Sequence, residues 1–127
     1  MGEQIGVVYC DITGLKKVND EQGHEAGDRL IIRACECLAG VFKGYGLYRI
    51  GGDEFLVLCL GIEEKDLREH VEKLRMDMKE HQVTMAVGMI WKEHGPKDID
   101  LLLNESERLM YEDKDRYYKE HGLKRRR

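Results

Sequence analysis

Three acidic side chains near glycines are the first candidates for chemistry in this sequence. Asp53 and Glu54 follow the glycine pair Gly51-Gly52, and Asp11 follows the apolar run at residues 4–10. If the fold brings these carboxylates together, they repel one another unless a divalent cation lies among their oxygens. Mg²⁺ binds a few carboxylates together with water and phosphate oxygens, at about 2.1 Å. The residues alone leave two interpretations open, a magnesium–phosphate site and a solvated acidic hairpin.

A second candidate lies just beyond Asp11, where Gly14-Leu15-Lys16 begins a predicted helical turn. The unpaired backbone N–H groups at a helix start can hold phosphate oxygens. Gly14 is equally compatible with an ordinary loop, and Gly51 and Gly52 with a turn that needs positive φ. Spacing alone therefore does not separate a ligand site from local turn chemistry.

The hydrophobic pattern predicts the elements that would position these residues, in the order β, α, α, β, β, α, β, α. The predicted segments are a strand at 4–10, a helical turn opened by Thr13, a helix carrying Leu30 to Val41, strands at 47–50 and 55–60, a helix carrying Leu67 to Met78, a strand at 83–89 before a Gly95-Pro96 turn, and a helix carrying Ile99 to Met110. The strands at 47–50 and 55–60 flank the glycines and acids closely enough for a β-hairpin. The order predicts an α+β fold, a mixed sheet with helices packed on it, rather than a doubly wound parallel sheet.

Length and charge narrow the class of protein. A chain of 127 residues has room for one domain, expected over residues 1–127, and its apolar runs are too short to cross a bilayer. The 21 basic and 25 acidic residues give a net charge of −4, and four of the basic residues are crowded into 124–127. The acidic remainder lacks the basic face that nucleic-acid binding needs. We expect no nucleic-acid partner and no membrane contact by this domain, and a basic tail that is a solvated end or the start of a further segment.

The cysteines and the start of the chain indicate the cellular compartment of the domain. Cys10, Cys35, Cys37 and Cys59 lie in apolar stretches without zinc-site spacing, so we expect buried, reduced thiols. No secretory leader opens the sequence, which predicts a cytoplasmic location for the domain, while the full-length protein could be membrane-anchored. A strand begins almost at the first residue, which indicates the C-terminal piece of a longer protein.

Three segments carry a resemblance to a known family. Residues 49–55 (RIGGDEF) resemble the signature of the GGDEF family, the bacterial diguanylate cyclases; residues 11–28 (DITGLKKVNDEQGHEAGD) resemble its first motif, and residues 106–114 (SERLMYEDK) its last helix. The resemblance implies a palm-like sheet flanked by helices, similar to class III nucleotide cyclases. It also implies that two GTP molecules condense to cyclic di-GMP and two pyrophosphates where two copies of the domain face each other.

The resemblance implies roles for individual residues. Asp11, Asp53 and Glu54 would hold Mg²⁺, or Mn²⁺, through their carboxylates, and Ile12 through its main-chain carbonyl. Asp53 and Glu54 are the predicted catalytic residues, with Asp53 either the second metal ligand or the base that accepts the 3′-hydroxyl proton. The remaining predicted ligands are Gly14, Leu15, Lys16 and Lys114 for phosphate, and Asn19 and Asp28 for guanine.

Some of these positions keep a structural alternative, and some depart from the family pattern. Asn19 could instead be a helix C-cap, and Lys114 an ordinary exposed lysine. The family's product-inhibition motif, RxxD, corresponds here to Phe42 and Tyr45, so we expect no product-inhibition site. Arg116 is the one candidate to replace a phosphate-binding arginine that follows the last helix in the family.

Two functions from different classes remain. The first is a metal-dependent diguanylate cyclase with GTP as substrate, a second copy as catalytic partner and an upstream sensory domain. The second is a catalytically inactive module of the same fold that binds GTP or another protein. The complete set of predicted acids favours the enzyme.

Overall fold

The computed structural model describes residues 3–95, 98–120 and 122. Within them the predicted order of elements is found: β1 Ile5–Ile12, α1 Leu15–Gln22, α2 His24–Val41, β2 Gly46–Arg49, β3 Glu54–Leu60, α3 Glu64–Glu80, β4 Met85–Lys92 and α4 Ile99–Glu120. Pro96 of the expected turn and the basic tail at 124–127 lie outside the described residues.

The strands form one four-stranded sheet in the order β2-β3-β1-β4. Every pairing between these described strands is antiparallel, whereas the order of elements in the sequence predicts a mixed sheet. The helical connections do make β1 and β2 run in the same direction, and likewise β3 and β4. However, β3 lies between the first pair and β1 between the second, so no parallel neighbours arise.

The sheet separates two hydrophobic clusters because side chains alternate between the faces of each strand. On one face, Val8 and Cys10 of β1 pack with apolar residues of α2 and α3. On the other face, Val7 and Tyr9 of β1 pack with Leu102 and other residues of α4. Asp11 belongs to the second face by the same alternation, and this places its side chain on the α4 side of the sheet.

The helix α4 packs against the sheet at Gly88 with almost no space between the backbones. A Cβ atom at Gly88 would lie 2.3 Å from both the Ser106 carbonyl oxygen and the Met110 nitrogen. Ser106 is fully buried at this contact, and its hydroxyl donates to the Leu103 carbonyl at 2.8 Å. One helical turn beyond Met110, the same helix brings Lys114 to the end of β1.

The start of α1 differs from the prediction that Thr13 opens it. Gly14 is the N-cap residue, with φ of 80°, a left-handed conformation that glycine adopts without a Cβ penalty. The Thr13 N–H donates to the Thr84 carbonyl at 2.8 Å, which ties this residue to the segment before β4 instead. The chain therefore turns sharply between the end of β1 and the first turn of α1.

Two further expectations concern thiols and membranes. All four cysteines are free, and Cys10, Cys37 and Cys59 are buried as predicted, whereas Cys35 is half-buried. Among the residues that the structure describes, no helix combines the length and the apolar character that crossing a bilayer requires.

Candidate active site

The three predicted acids converge at one end of the two central strands, β1 and β3. Asp11 near the end of β1 is the direct cross-strand partner of Glu54, the first residue of β3, and directly paired residues share one face. The Asp53 carbonyl accepts a hydrogen bond from the Ile12 N–H at 2.8 Å, which fixes the hairpin turn against β1. One carboxylate oxygen from each of Asp11, Asp53 and Glu54 lies within 4.8 Å of the others. Three acids this close form an oxygen-rich group suited to a hard divalent cation.

Asp11 is the buried member of this group, with 2% of its surface exposed. Its Oδ2 accepts a hydrogen bond from the Lys114 ammonium at 3.0 Å, while Oδ1 is buried and has no hydrogen-bond partner among the described residues. Burial and the neighbouring Asp53 charge raise the pKa of Asp11 to about 6, against the lowering effect of Lys114. A buried carboxylate oxygen without a partner is costly, and a cation would satisfy it.

Lys114 is therefore not the ordinary exposed lysine that the sequence leaves open. Only 12% of its side chain is exposed. Burial alone would lower the pKa of Lys114, but the hydrogen bond and charge of Asp11 outweigh it and raise the pKa. The ammonium group stays charged and neutralises part of the acidic cluster.

Glu54 has a hydrogen-bond partner of its own in Tyr9. The Tyr9 hydroxyl donates to Glu54 Oε1 at 3.0 Å and lies 3.4 Å from Glu107 Oε2 on α4. Burial and the two carboxylates raise the pKa of Tyr9, so the phenol keeps its proton. Tyr9 and Glu107 are not among the site residues predicted from the sequence. The available signal is the position of Tyr9 two residues before Asp11, on the same face of a strand.

The hairpin turn that carries the acids is held by Arg49. Its guanidinium donates to the Gly51 carbonyl at 3.2 Å and to the Gly52 carbonyl at 2.7 Å. The Ile50 N–H donates to the Glu54 carbonyl at 2.9 Å and closes the turn. Arg49 thus braces the hairpin, and the two glycines stay exposed beside the carboxylates.

The predicted phosphate-binding loop lies directly after β1. Hydrogen bonding within α1 begins with the Val18 N–H, which donates to the Gly14 carbonyl at 3.0 Å. The N–H groups of Leu15, Lys16 and Lys17 therefore have no partner within the helix. Leu15 packs against the core and anchors the turn. Lys16 is exposed and lies 3.6 Å from Asp20.

The two predicted guanine ligands lie on successive helices. Asn19 is inside α1, which ends at Gln22 with Gly23 as its C-cap, so Asn19 is not the C-cap. Its side chain fits against Gly27 of α2, where a Cβ atom would lie only 1.7 Å from Asn19 Oδ1. Asp28, the next residue of α2, is exposed.

The other positions singled out in the sequence lie elsewhere. Phe42 is buried, and its ring centroid lies 5.7 Å from that of His70, which Tyr45 also contacts. Arg116 donates to Asp113 Oδ1 at 3.2 Å, and both line a cavity of about 380 Å³ between the ends of α3 and α4. The acids Asp11, Asp53 and Glu54 do not line that cavity.

Comparison with known proteins identifies the family. A family model described as "Diguanylate cyclase, GGDEF domain" matches residues 1–119. The chain belongs to the GGDEF family. Two proteins from Escherichia coli strain K12 are similar to this chain: the diguanylate cyclase DgcP is 27% identical over 124 residues, and the cyclic di-GMP phosphodiesterase PdeR is 31% identical over 125 residues.

Both of these relatives are longer proteins than this chain. The alignment covers 90% of this chain and 36% of DgcP, and 88% of this chain and 18% of PdeR. Among solved structures, the active GGEEF domain of a diguanylate cyclase from Vibrio cholerae matches with a TM-score of 0.81 at 23% identity, covering 90% of this chain and 78% of that one. The palm-like α+β fold predicted from the resemblance is thereby confirmed.

Proposed function

We propose that this GGDEF domain is a diguanylate cyclase that condenses two GTP molecules into cyclic di-GMP and two pyrophosphates. The single observation that carries the proposal is the convergence of Asp11, Asp53 and Glu54, with one buried Asp11 oxygen left without a partner. Such a group is poorly suited to a purely structural role, because no described neighbour donates a hydrogen bond to Oδ1 of the buried Asp11.

The residues fit a divalent cation, Mg²⁺ or Mn²⁺. Asp11 and Glu54 would hold it through their carboxylates and Ile12 through its carbonyl, with Asp53 as a further ligand or as the base for the 3′-hydroxyl proton. When bound, the cation would neutralise charge on the triphosphate and acidify the attacking hydroxyl. The arrangement of hard oxygen donors, without nitrogen or sulfur, supports this class of ion.

The nucleotide would lie between the start of α1 and the end of α4. The N–H groups of Gly14, Leu15 and Lys16 would bind phosphate oxygens, and Lys114 would add a positive charge beside them. The carboxylate of Asp28 would accept hydrogen bonds from guanine N1–H and N2–H₂, and the amide of Asn19 would address O6 or N3. Asp28 supports GTP rather than ATP as the substrate, because adenine lacks these two donors.

Two further partners belong to the proposal. Each domain would hold one GTP, so the reaction needs a second copy of the domain facing the first. An upstream sensory domain of the full-length protein would control that pairing, with this domain in the cytoplasm, and this proposal agrees with the small share of its relatives that the chain spans. Because Phe42 and Tyr45 occupy the positions of the inhibition motif, we propose that cyclic di-GMP does not inhibit the domain at that surface.

The experiment is an assay of the domain fused to a dimeric coiled coil at its N-terminus, with GTP and Mg²⁺, followed by chromatographic separation of the nucleotides. Cyclic di-GMP is the expected product, and Glu54→Gln should abolish it. Glu63→Gln, an exposed glutamate at the start of α3, is the matched control and should leave product formation unchanged.

The second candidate function is an inactive module that binds GTP or a partner protein. The likeness to PdeR favours this candidate, since this chain aligns over 125 residues with a protein that is named for phosphodiesterase rather than cyclase activity. Bound but unreacted GTP in the same assay would select the module, and absence of both product and bound nucleotide would overturn the proposal.

A further inference from the structure

Tyr9 places a single phenol hydroxyl between two carboxylates from different elements. The residue is 6% exposed, its hydroxyl lies 3.0 Å from Glu54 Oε1, and Glu107 Oε2 is 3.4 Å away. A neutral phenol has one proton to donate. The shorter distance assigns that proton to Glu54, since 3.4 Å exceeds the usual range for an O–H donor.

The hydrogen bond holds a side chain that has several rotatable bonds. Glu54 is half-buried, and it is the first residue of β3 after the exposed glycine turn. A glutamate side chain that is free to rotate loses entropy when it binds a ligand. The hydrogen bond from Tyr9 restrains the position of Oε1 without any ligand present.

The two directly paired acids, Asp11 and Glu54, therefore each accept a hydrogen bond from a different side chain. Lys114 holds Oδ2 of Asp11, and Tyr9 holds Oε1 of Glu54. Both contacts lie on the α4 side of the sheet. Groups that hydrogen-bond to ligating carboxylates in this way orient them and contribute to metal affinity.

We propose that Tyr9 is a positioning residue that orients the Glu54 carboxylate for binding a divalent cation. The proposal rests on the metal site of the proposed function. It does not depend on the packing of the Tyr9 ring, which fills the cluster formed with Leu56, Leu102 and Met110. Phenylalanine keeps that ring and removes only the donor, so Tyr9→Phe separates the two contributions.

The test measures Mn²⁺ binding to the whole domain without nucleotide, by the electron paramagnetic resonance signal of free Mn²⁺. Tyr9→Phe should weaken Mn²⁺ binding about tenfold, the lower end of the effect of such supporting contacts. Tyr48→Phe removes a phenol hydroxyl from an exposed position on the same sheet face and should leave the affinity unchanged. Ile90→Val removes a methyl group from the Tyr9 cluster and should lower the melting temperature without changing Mn²⁺ affinity.

The outcomes separate this inference from the proposed function. If the native domain binds Mn²⁺ and Tyr9→Phe binds it equally well, the positioning role is wrong while the metal site stands. If Ile90→Val weakens Mn²⁺ binding as much as Tyr9→Phe does, the role of Tyr9 is structural only. If the native domain binds no Mn²⁺, the metal site itself is overturned. Should Tyr9→Phe fail to fold, Tyr9→Met, which also lacks the donor, is measured against the same controls.

Discussion

The Lys114 ammonium nitrogen lies 3.0 Å from Oδ2 of Asp11, although 103 positions separate the two residues in the chain. The pair is largely buried, with 12% of the lysine side chain and 3% of the aspartate side chain exposed. The contact joins the last helix to the first strand at the carboxylate on which the proposed function depends. It also satisfies only one of the two Asp11 oxygens, so the pair is a partial compensation for burying this charge.

Replacement of Lys114 by methionine should destabilise the domain strongly. Removing one partner of a buried ion pair leaves the other charge uncompensated, and we expect Lys114→Met to lower the free energy of unfolding by about 3 kcal/mol. Urea denaturation at about pH 7.5 in divalent-free buffer, followed by circular dichroism, measures the change.

The matched control is Lys119→Met, an exposed lysine on the same helix, for which we expect a change within about 0.5 kcal/mol. The double variant Asp11→Asn, Lys114→Met should recover part of the loss, because it removes both charges. A Lys114→Met domain as stable as Lys119→Met would show that the pair contributes nothing to stability.

The raised pKa of Asp11 predicts how stability changes with pH. Its pKa is about 6 in the fold and 3.8 in the unfolded reference, so the folded state binds more protons between these values. Stability contributed by the protonated carboxyl is complete below about pH 4 and is lost as the pH rises through about 6. The loss should be on the order of a few kcal/mol, since one pKa unit corresponds to about 1.4 kcal/mol.

The measurement is urea denaturation between about pH 4 and pH 8, with the native domain compared with Asp11→Asn. The difference between the two free energies reports the Asp11 carboxyl together with its interaction with Asp53, because the more distant acids titrate alike in both proteins. That difference should change across the interval and then level off, and millimolar Mg²⁺ should reduce the change by binding the ionised carboxylate. A constant difference would contradict the assigned pKa.

The hairpin and its acids were predictable from the sequence because their interactions are local. Two apolar runs flank Gly51 to Glu54, and the alternation of β3 fixes which side chains share a face. The meeting of Asp11 with Lys114 is not local, and only the resemblance placed both residues in one site. No spacing along the chain encodes that contact, which depends on α4 packing closely at Gly88.

The ends of two predicted helices depend on interactions that the hydrophobic pattern does not report. The apolar positions of α4 end at Met110, and the helix continues to Glu120 through a segment in which charged residues dominate. Ion pairs one turn apart, such as Arg108 with Glu112, support the helix there without any hydrophobic signal. Residue preference predicts that Thr13 begins α1, but its N–H donates to the Thr84 carbonyl just beyond the paired ends of β1 and β4, and that contact overrides the preference.

The cysteines should differ sharply in reactivity. Burial raises the pKa of Cys10 and Cys59 to about 12 and also raises that of Cys37, whereas Cys35 is the half-buried thiol. Because the thiolate is the reactive form, Ellman's reagent at about pH 8 should label one thiol quickly in the folded domain and all four after unfolding. Cys35→Ser should remove the fast phase, and a fast phase that persists in this variant would contradict the burial pattern.

Gly27 should control nucleotide binding through Asn19. A Cβ atom at Gly27 would lie 1.7 Å from Asn19 Oδ1, so Gly27→Ala must displace the amide that we propose as a guanine ligand. We expect GTP binding to weaken about tenfold, or about 1.4 kcal/mol, in isothermal titration calorimetry with Mg²⁺ present.

Gly40→Ala provides the matched control, because Gly40 lies on the same helix and a Cβ atom there meets nothing within 4 Å. Both substitutions add the same helix propensity, about 0.5–1 kcal/mol, so the difference between them isolates the contact with Asn19. Gly40→Ala should stabilise the domain and bind GTP as the native chain does. Equal GTP affinity in the two variants would mean that the position of the Asn19 amide does not matter for binding, and Asn19 would then lose its proposed role in reading guanine.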